Sequence, residues 1–472
     1  MSRKAWCRRA ILCSMLLWAT FATAEDNPQQ KKLDRQFQSA VAHYDAGQFP
    51  EAAAQLEDLL PHVPDNFEAQ ELLGLVYASM SEDAKAIVHL EAAVRLKPDS
   101  APARTNLAAS LSRSGSPQSA EEQLRKALAL APHDYTTNHN LGEFYIKSGK
   151  ISEGRPLLER AQQLEPSSYD NGYDLATADL LTGQLAEARQ LVQSLLQKKN
   201  TGELHNLLAQ IEEKDGKFVA AANEFETAAH MDPSEDNLFD WASELLLHRT
   251  YEPAIEVFRL AAQRYPNSPR LMIGLGMSLY ARGLYEDAVK ALLTAADLNP
   301  SDPRCYLFLS KAYDSSPSQA DEVIQRFQHY AALEPNNALA QYYYAMSLWK
   351  GKRAQGSGLN LQEVESLLKK SIALNDSLPE AHMQLGNLYA DQRQFEKSIP
   401  EYVRALELNP NLPDAHYRLG TDYVHMGQKE RAQGEFATYQ KLRAQHMAEV
   451  DKDRAEVKQF VYSSKAASSA KP

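Results

Sequence analysis

The chain has 472 residues, with 62 Asp and Glu against 50 Lys and Arg, and a formal net charge of −12. A chain this acidic is a poor candidate for wrapping phosphate backbones or anionic lipid, so we expect no nucleic-acid partner. Its length would ordinarily predict about two or three globular domains. A repeat array is the exception, because each unit contacts only its neighbours and one long domain can result.

The first residues have the pattern of a secretory signal peptide. A basic start is followed by the apolar run 10–22 and by a small-x-small site that ends at Ala24. The run is shorter than the roughly 20 apolar residues that a membrane-spanning helix needs. We therefore predict a signal peptide over 1–24, an exported mature chain that is periplasmic or secreted, and a disordered linker over 25–32. Retention of the leader as a membrane anchor is the alternative.

Cysteine usage excludes an intramolecular disulfide framework in the mature chain. Cys7 and Cys13 lie in the leader, and Cys305 alone remains after it. Small secreted modules of eukaryotes usually depend on disulfides, whereas a large solenoid does not. This combination favours the bacterial periplasm or envelope.

A small residue recurs along almost the whole chain at an interval close to about 34 residues, which is the length of two helices and two turns. This period predicts a solenoid of stacked repeats, each of which contains two helices and two turns. The twelve small residues are Ala40, Gly74, Ala108, Gly142, Ala176, Ala209, Ala242, Gly276, Ser310, Ala345, Gly386 and Gly420.

Further features repeat around each small residue. A large apolar residue precedes it and another follows three positions later, so that all three lie on one helical stripe. A glycine often closes the first helix, as at Gly283, and a proline closes most units, as at Pro300. We predict that the small residue lets a neighbouring helix approach closely.

With these features the unit resembles the tetratricopeptide repeat, over residues 33–442 as about twelve units. The resemblance implies an all-α fold, a right-handed α-solenoid superhelix of tandem helix-turn-helix repeats. Two well-matched stretches carry it: Leu385-Gly386-Asn-Leu-Tyr389 with Phe395, Ser398 and Pro410, and Leu141-Gly142-Glu-Phe-Tyr145 with Gly149, Ala161 and Pro166.

Three segments depart from the repeat. Residues 351–358 contain three glycines and are predicted to form a flexible polar insert between the two helices of the tenth unit. Residues 443–462 are predicted to form a capping helix that shields the last repeat. The polar tail 463–472 is predicted to be disordered.

Catalytic motifs are missing from the sequence. It contains no His-Glu-x-x-His, no Walker phosphate loop, no Gly-x-Ser-x-Gly elbow and no paired-cysteine motif. Histidines are scattered without the spacing of metal ligands. We expect no enzymatic activity, no metal and no cofactor; an enzyme with an unrecognised site in the groove is the remaining alternative.

The resemblance implies that first helices of successive units line a concave groove. In the N-terminal half the implied lining is mostly polar: Phe37, Val41, Tyr44, Glu71, Thr105, His139, Glu143 and Tyr173. From the seventh unit onward it is aromatic and Met-rich, and the candidate partner-binding residues are Phe239, Ile273, Met277, Tyr280, Leu307, Tyr342, Met346, Trp349, Met383 and Tyr417. Such side chains favour an apolar peptide or helix as the ligand. The alternative is that several are buried against neighbouring helices.

These observations predict a non-catalytic scaffold that binds other proteins or peptides through its groove, in envelope assembly or secretion. A second hypothesis is an accessory subunit of polysaccharide export, in which Tyr342 and Trp349 stack against sugar rings. Peripheral association with a membrane also stays open. The sequence does not identify the partner.

Overall fold

The computed structural model describes residues 28–355 and 360–445, which contain 24 α-helices, one short 3-10 helix and no β-strand. They form two compact units that divide between Asp232 and Pro233, here called unit 1 and unit 2. The predicted signal peptide over 1–24, the disordered tail over 463–472 and most of the predicted capping helix lie outside the described residues.

Unit 1 contains six helix pairs. A 3-10 turn, Leu60–His62, follows its second helix. The helices are α1 (Pro28–Asp45), α2 (Phe49–Leu59), α3 (Phe67–Ser79), α4 (Asp83–Leu96), α5 (Ala101–Arg113), α6 (Pro117–Leu130), α7 (Tyr135–Lys147), α8 (Ile151–Leu164), α9 (Tyr169–Thr182), α10 (Leu185–Lys198), α11 (Gly202–Lys214) and α12 (Phe218–Met231).

Unit 2 also contains six pairs. Its helices are α13 (Glu235–Leu247), α14 (Tyr251–Arg264), α15 (Pro269–Arg282), α16 (Tyr285–Leu298), α17 (Pro303–Ser315), α18 (Ala320–Leu333), α19 (Ala338–Gln355), α20 (Leu361–Leu374), α21 (Pro379–Asp391), α22 (Phe395–Leu408), α23 (Pro413–His425) and α24, which covers 429–445 of the described residues.

Helices pack in chain order within each unit. In unit 1, α7 packs on its partner α8, α8 packs on α9, and the first helices α7 and α9 also touch. In unit 2, α15 packs on α16, α16 on α17, and α15 on α17. Each repeat therefore buries its apolar faces against the repeats before and after it. This arrangement confirms the all-α solenoid of tandem helix pairs that the sequence predicts.

A side-chain cap begins most of the first helices. In the turn before the helix, a short polar residue accepts a hydrogen bond from the backbone N–H three positions later, which satisfies one of the free N–H groups of the first turn. The bond from Ala69 N to Asn66 Oδ1, for example, is 2.7 Å. The capping residues are Asn66, Ser100, Asp134, Ser168, Thr201, Ser234 and Ser268.

The small residue of each repeat lies where the two helices of a pair approach most closely. A Cβ atom added at Gly276 of α15 would lie 2.5 Å from Leu292 Cγ of α16, closer than van der Waals contact allows. Gly142 of α7 has the same relation to Leu158 of α8, at 2.8 Å. The prediction about close helix approach is confirmed at these crossings. Ser310 differs, since it is only half-buried.

Ion pairs connect one repeat to the next. Arg155 of α8 donates to Asp179 of α9 at 2.6 Å, and the Asp179 side chain is 4% exposed. The two bonds from the Arg189 guanidinium of α10 to the Glu212 carboxylate of α11 are 2.6 and 3.0 Å. Both pairs are largely withdrawn from water and each joins a second helix to the following first helix, so they fix the register of the stack.

Three segment boundaries differ from the sequence predictions. Helix α1 begins at Pro28, so residues 28–32 are helical where a disordered linker was expected; proline suits the first helical position, and the following Gln and Lys residues are good helix formers. Helix α19 runs through Gln355 into the predicted flexible insert. Gly351 is buried there, and an added Cβ would lie 2.9 Å from Ile324. Helix α24 continues through 443 without a break.

Candidate partner-binding faces

The first helices of unit 2 present the predicted aromatic and Met-rich surface. Helices α13, α15, α17 and α19 pack side by side, each against the next first helix. We call the side chains that α13, α15, α17, α19, α21 and α23 display on this side the unit 2 face. All ten candidate residues of the sequence analysis belong to these helices.

Seven of the ten candidates come from three adjacent helices. Ile273 belongs to a buried cluster formed by α15 to α19, and Met277, Tyr280 and Tyr342 pack against it. Tyr342 also packs against the neighbouring cluster that contains Trp349, and Met346 packs there too. Tyr342 therefore joins the two clusters, and the structure brings these six side chains into one apolar region. The seventh, Leu307, lies on α17 between them and is 38% exposed.

Exposure divides the candidates into three groups. Ile273 is 5% and Trp349 7% exposed, so both are occupied by packing within the chain. Leu307 and Tyr417, the latter 49% exposed, present substantial surface. The half-buried candidates keep part of their surface accessible: Phe239, Met277, Tyr280, Tyr342, Met346 and Met383. Because the ring of Trp349 is covered, it offers no face on which a sugar could stack.

The remaining candidates lie apart from the central region. The ring of Phe239 on α13 meets Phe258 at 6.0 Å between centroids, and the Arg270 guanidinium lies 5.0 Å from its centroid. Met383 packs beside Tyr402 in the penultimate repeat, and Tyr417 meets Phe436 at 5.8 Å. The structure thus spreads these three along the face instead of adding them to the central region.

Burial raises the pKa values of two adjacent tyrosines of α19, Tyr342 and Tyr343. Burial raises the pKa of Tyr342 well above its usual range, and burial raises the pKa of the neighbouring Tyr343 to about 12. Tyr342 and Tyr343 lie 5.8 Å apart between ring centroids. Both hydroxyls remain neutral hydrogen-bond donors, which suits contact with a largely apolar ligand.

The first helices of unit 1 carry side chains of a different chemical type. We call the surface that these helices form the unit 1 face. Asn106 of α5 donates to Glu71 of α3 at 3.2 Å. Burial raises the pKa of Glu71 to about 7, and the hydrogen bond from Asn106 only partly opposes that effect. Thr105 is buried, and Nδ1 of His139 lies 3.1 Å from Asn171 Oδ1. Carboxyl and amide groups dominate where unit 2 has aromatic rings.

Asp174 is the residue of this face that sequence reasoning missed. It follows Tyr173, one of the lining positions that the resemblance implies. Its pKa is raised to about 7, chiefly by burial; the charges of Glu143, Asp170 and Glu203 also raise it, and that of Lys147 lowers it. The signal in the sequence was its position on a first helix, two residues before the small residue Ala176.

A cavity lies on the second-helix side of unit 2. It has a volume of about 620 Å³ and is lined by residues of α16, α17 and α18, among them Tyr306 and His329. Its charged lining residues pair with each other, because the Arg326 guanidinium donates to Asp297 at 2.8 and 3.0 Å. Tyr306 is stacked on Tyr330 at 4.0 Å between centroids.

Neither a metal-binding cluster nor a membrane-spanning helix occurs within residues 28–355 and 360–445. Within these residues no three His, Cys, Asp or Glu side chains converge in a way that could hold a metal ion. None of the helices in the same part of the chain combines the length and the apolar character needed to cross a bilayer.

Sequence models of tetratricopeptide repeats match five stretches of the chain, which together cover more than half of it. Models described as "Tetratricopeptide repeat" match residues 37–101, 102–131, 145–211 and 245–312. A model described as "TPR repeat" matches residues 386–427. The chain belongs to the tetratricopeptide repeat (TPR) family.

Individual relatives of this TPR chain are distant. The TPR repeat-containing protein YpiA of Bacillus subtilis is 26% identical over 149 residues, which are 32% of this chain and 33% of YpiA. The match therefore spans about a third of the length of that relative. A crystal structure of a TPR protein from Parabacteroides merdae aligns at 15% identity over 53% of this chain and 99% of that one, with a TM-score of 0.43. Pseudomonas aeruginosa pilF aligns at 23% identity over 43% and 94%, with a TM-score of 0.38.

Proposed function

We propose that this TPR protein is a non-catalytic scaffold whose unit 2 face binds an apolar segment of a partner protein. The observation that carries the proposal is the set of half-buried Met and Tyr side chains on α15 and α19, with Leu307 exposed on α17 between them. A buried core beneath holds these side chains in place, so little ordering is required when a ligand binds.

The chemistry of the face selects the class of ligand. Each apolar side chain that a partner covers contributes about 25 cal/mol for each Å² removed from water. Met277 and Met346 adapt their shape to different ligands, and the rings of Tyr280 and Tyr342 provide rigid contact area. An amphipathic helix or an extended apolar peptide matches this surface, since either can lay one apolar side across several repeats.

We further propose that the protein works outside the cytoplasm, in assembly or secretion at the bacterial envelope. The support is the leader-like pattern over 1–24 together with a single buried cysteine, Cys305, after it. Mass spectrometry of the protein recovered from the cells that make it provides the test. We expect a mass that corresponds to a chain beginning at Glu25; an intact Met1 start in a cytosolic fraction would refute export.

A charge placed on the unit 2 face tests the binding proposal. Leu307→Glu introduces a carboxylate at a 38% exposed position of α17, and Leu260→Glu introduces the same charge on the second helix α14, where Leu260 is 55% exposed. Both residues lie at the surface, so both variants should fold. The proteins of interest are those that copurify with the native chain in a constant proportion. We expect the recovered amount of these proteins to fall by about tenfold or more with Leu307→Glu and to stay unchanged with Leu260→Glu.

Affinity purification with quantitative mass spectrometry provides the measurement, and circular dichroism checks that each variant is helical. Equal retention by the two variants, or loss only from Leu260→Glu, would contradict the proposal. If Leu260→Glu alone loses the copurified proteins, the partner binds the second-helix side of unit 2 instead.

A further inference from the structure

Two tyrosines of the unit 2 face carry hydroxyl groups that form no hydrogen bond with the described part of the chain. They are Tyr280 on α15 and Tyr342 on α19. Both rings are half-buried and pack against the same buried cluster. The cluster therefore holds the rings in place while their hydroxyls stay available to a ligand.

The hydroxyl of Tyr342 is drawn away from water without gaining an acceptor. Burial is the main cause of its raised pKa, and the charges of Asp314 and Glu380 contribute. Neither of these carboxylates accepts a hydrogen bond from Tyr342, and Asp314 is paired with Lys350. Tyr342 thus provides a phenolic donor for which the described residues supply no partner.

A partner that covers these rings must also supply hydrogen-bond acceptors. A hydroxyl that loses water on binding and meets no acceptor opposes binding, so a purely apolar surface fits poorly over Tyr342. The face combines apolar contacts from Met277, Leu307 and Met346 with two donors from tyrosine. Its ligand needs both chemical properties in one segment.

The main chain of an extended segment meets both requirements. In an α-helix each interior carbonyl already accepts from the N–H four residues later, so the side of a helix presents few free acceptors. In an isolated extended segment the carbonyls are free, and the side chains alternate between two sides. One such segment can place apolar side chains on the face and offer carbonyls to the tyrosine hydroxyls.

We propose that the unit 2 face binds an extended apolar segment of a partner protein, whose main-chain carbonyls accept hydrogen bonds from Tyr280 and Tyr342. The inference rests on the proposed function and chooses between the two ligands, helix and extended peptide, that the apolar surface alone would admit. The segment crosses α15, α17 and α19 in turn, since these helices pack side by side.

Removal of one hydroxyl tests the hydrogen bonds. Tyr342→Phe keeps the ring and its packing, and we expect the recovered amount of the proteins that copurify with the native chain to fall by about three- to tenfold. Tyr251→Phe is the matched control, because Tyr251 is a half-buried tyrosine of the second helix α14. The control should change recovery by less than about twofold. Quantitative mass spectrometry measures recovery, and circular dichroism checks that both variants are helical.

The spacing of cross-links along the partner tests the extended conformation. Benzoylphenylalanine replaces Met277 or Met346, each of which directly follows the small residue of its unit. Only α17 separates their helices, so the two positions lie about 16–20 Å apart, at about 8–10 Å for each neighbouring helix. An extended chain spans that distance in about five or six residues and a helix in about eleven to thirteen. We expect the two adducts to map to partner residues separated by the smaller number.

The inference and the proposed function can fail separately. Loss of copurified proteins from Leu307→Glu with full retention by Tyr342→Phe would overturn the extended segment and keep the apolar face. Adducts about twelve residues apart, as a helix would give, have the same meaning. Equal loss from Tyr342→Phe and Tyr251→Phe would also overturn the inference. Full retention by Leu307→Glu, or no adduct from either methionine position, would refute the apolar face and the inference with it.

Discussion

At the residue scale, glycine controls how closely the two helices of a repeat can pack. Gly276 faces Leu292 so closely that a methyl group has no room, whereas Gly434 in α24 has no atom within 4 Å of its would-be Cβ. The period of small residues could be read from the sequence. The sequence could not show which of these positions requires glycine, because that depends on the size of the side chain on the opposite helix. Ala108 and Ala242 occupy the same repeat position and accommodate a Cβ.

We predict that Gly276→Ala and Gly434→Ala change stability in opposite directions. The first substitution overpacks a core crossing and should lower the free energy of unfolding by about 1–3 kcal/mol. The second should raise it by about 0.5–1 kcal/mol, because alanine has the higher helix propensity. Urea unfolding followed by circular dichroism measures both. Destabilisation of equal size at the two positions would show that the close crossing is not the cause.

At the element scale, most first helices are followed within two residues by a residue in the left-handed conformation. Gly283 adopts φ of +87° there, seven positions after Gly276. Arg393, seven positions after Gly386, occupies the equivalent place with φ of +59°. The helix stop was predictable where glycine marks it. At Arg393 the sequence contains no signal for the end of the helix. There the next helix and its packing impose the strained left-handed conformation.

Arg393→Gly should therefore stabilise the protein. Removing the Cβ relieves the left-handed strain, and the Arg393 side chain is exposed, so few contacts are lost. The expected gain is about 0.5–1 kcal/mol after allowing for the extra freedom of glycine in the unfolded chain. Gly283→Arg is the reciprocal change and should destabilise by a similar amount. Thermal melting of both variants provides the measurement, and a lower midpoint for Arg393→Gly would contradict it.

The flexible insert predicted over 351–358 was wrong for its first residues, and the cause is the packing of helix α19. Three glycines over 351–358 indicated a flexible loop, yet Gly351 is a buried residue of α19 that lies against Tyr313 and Ile324. Glycine has two meanings in a sequence, conformational freedom and absence of a side chain, and only the packed neighbours distinguish them. Helix α19 continues because Gly351 allows that contact.

At the scale of the whole molecule, repeat position does not determine which residues a partner can reach. Ile273, Leu307 and Tyr417 all stand three residues before the small residue of their unit. They are 5%, 38% and 49% exposed. The sequence places all three on first helices and predicts the stacked helix pairs around them. Exposure depends on the side chains of adjacent repeats, which differ from unit to unit, and this information is absent from the period itself.

Site-specific photo-cross-linking in the cells that make the protein tests the central claim most directly. Benzoylphenylalanine replaces Tyr280 and Tyr417 on first helices of unit 2 and, as the control, Leu260 on a second helix. We expect one discrete protein adduct from the first-helix positions, identified as the same partner from both, and no adduct from Leu260. Adducts of equal yield from Leu260, or none from Tyr280 and Tyr417, would contradict binding through the unit 2 face.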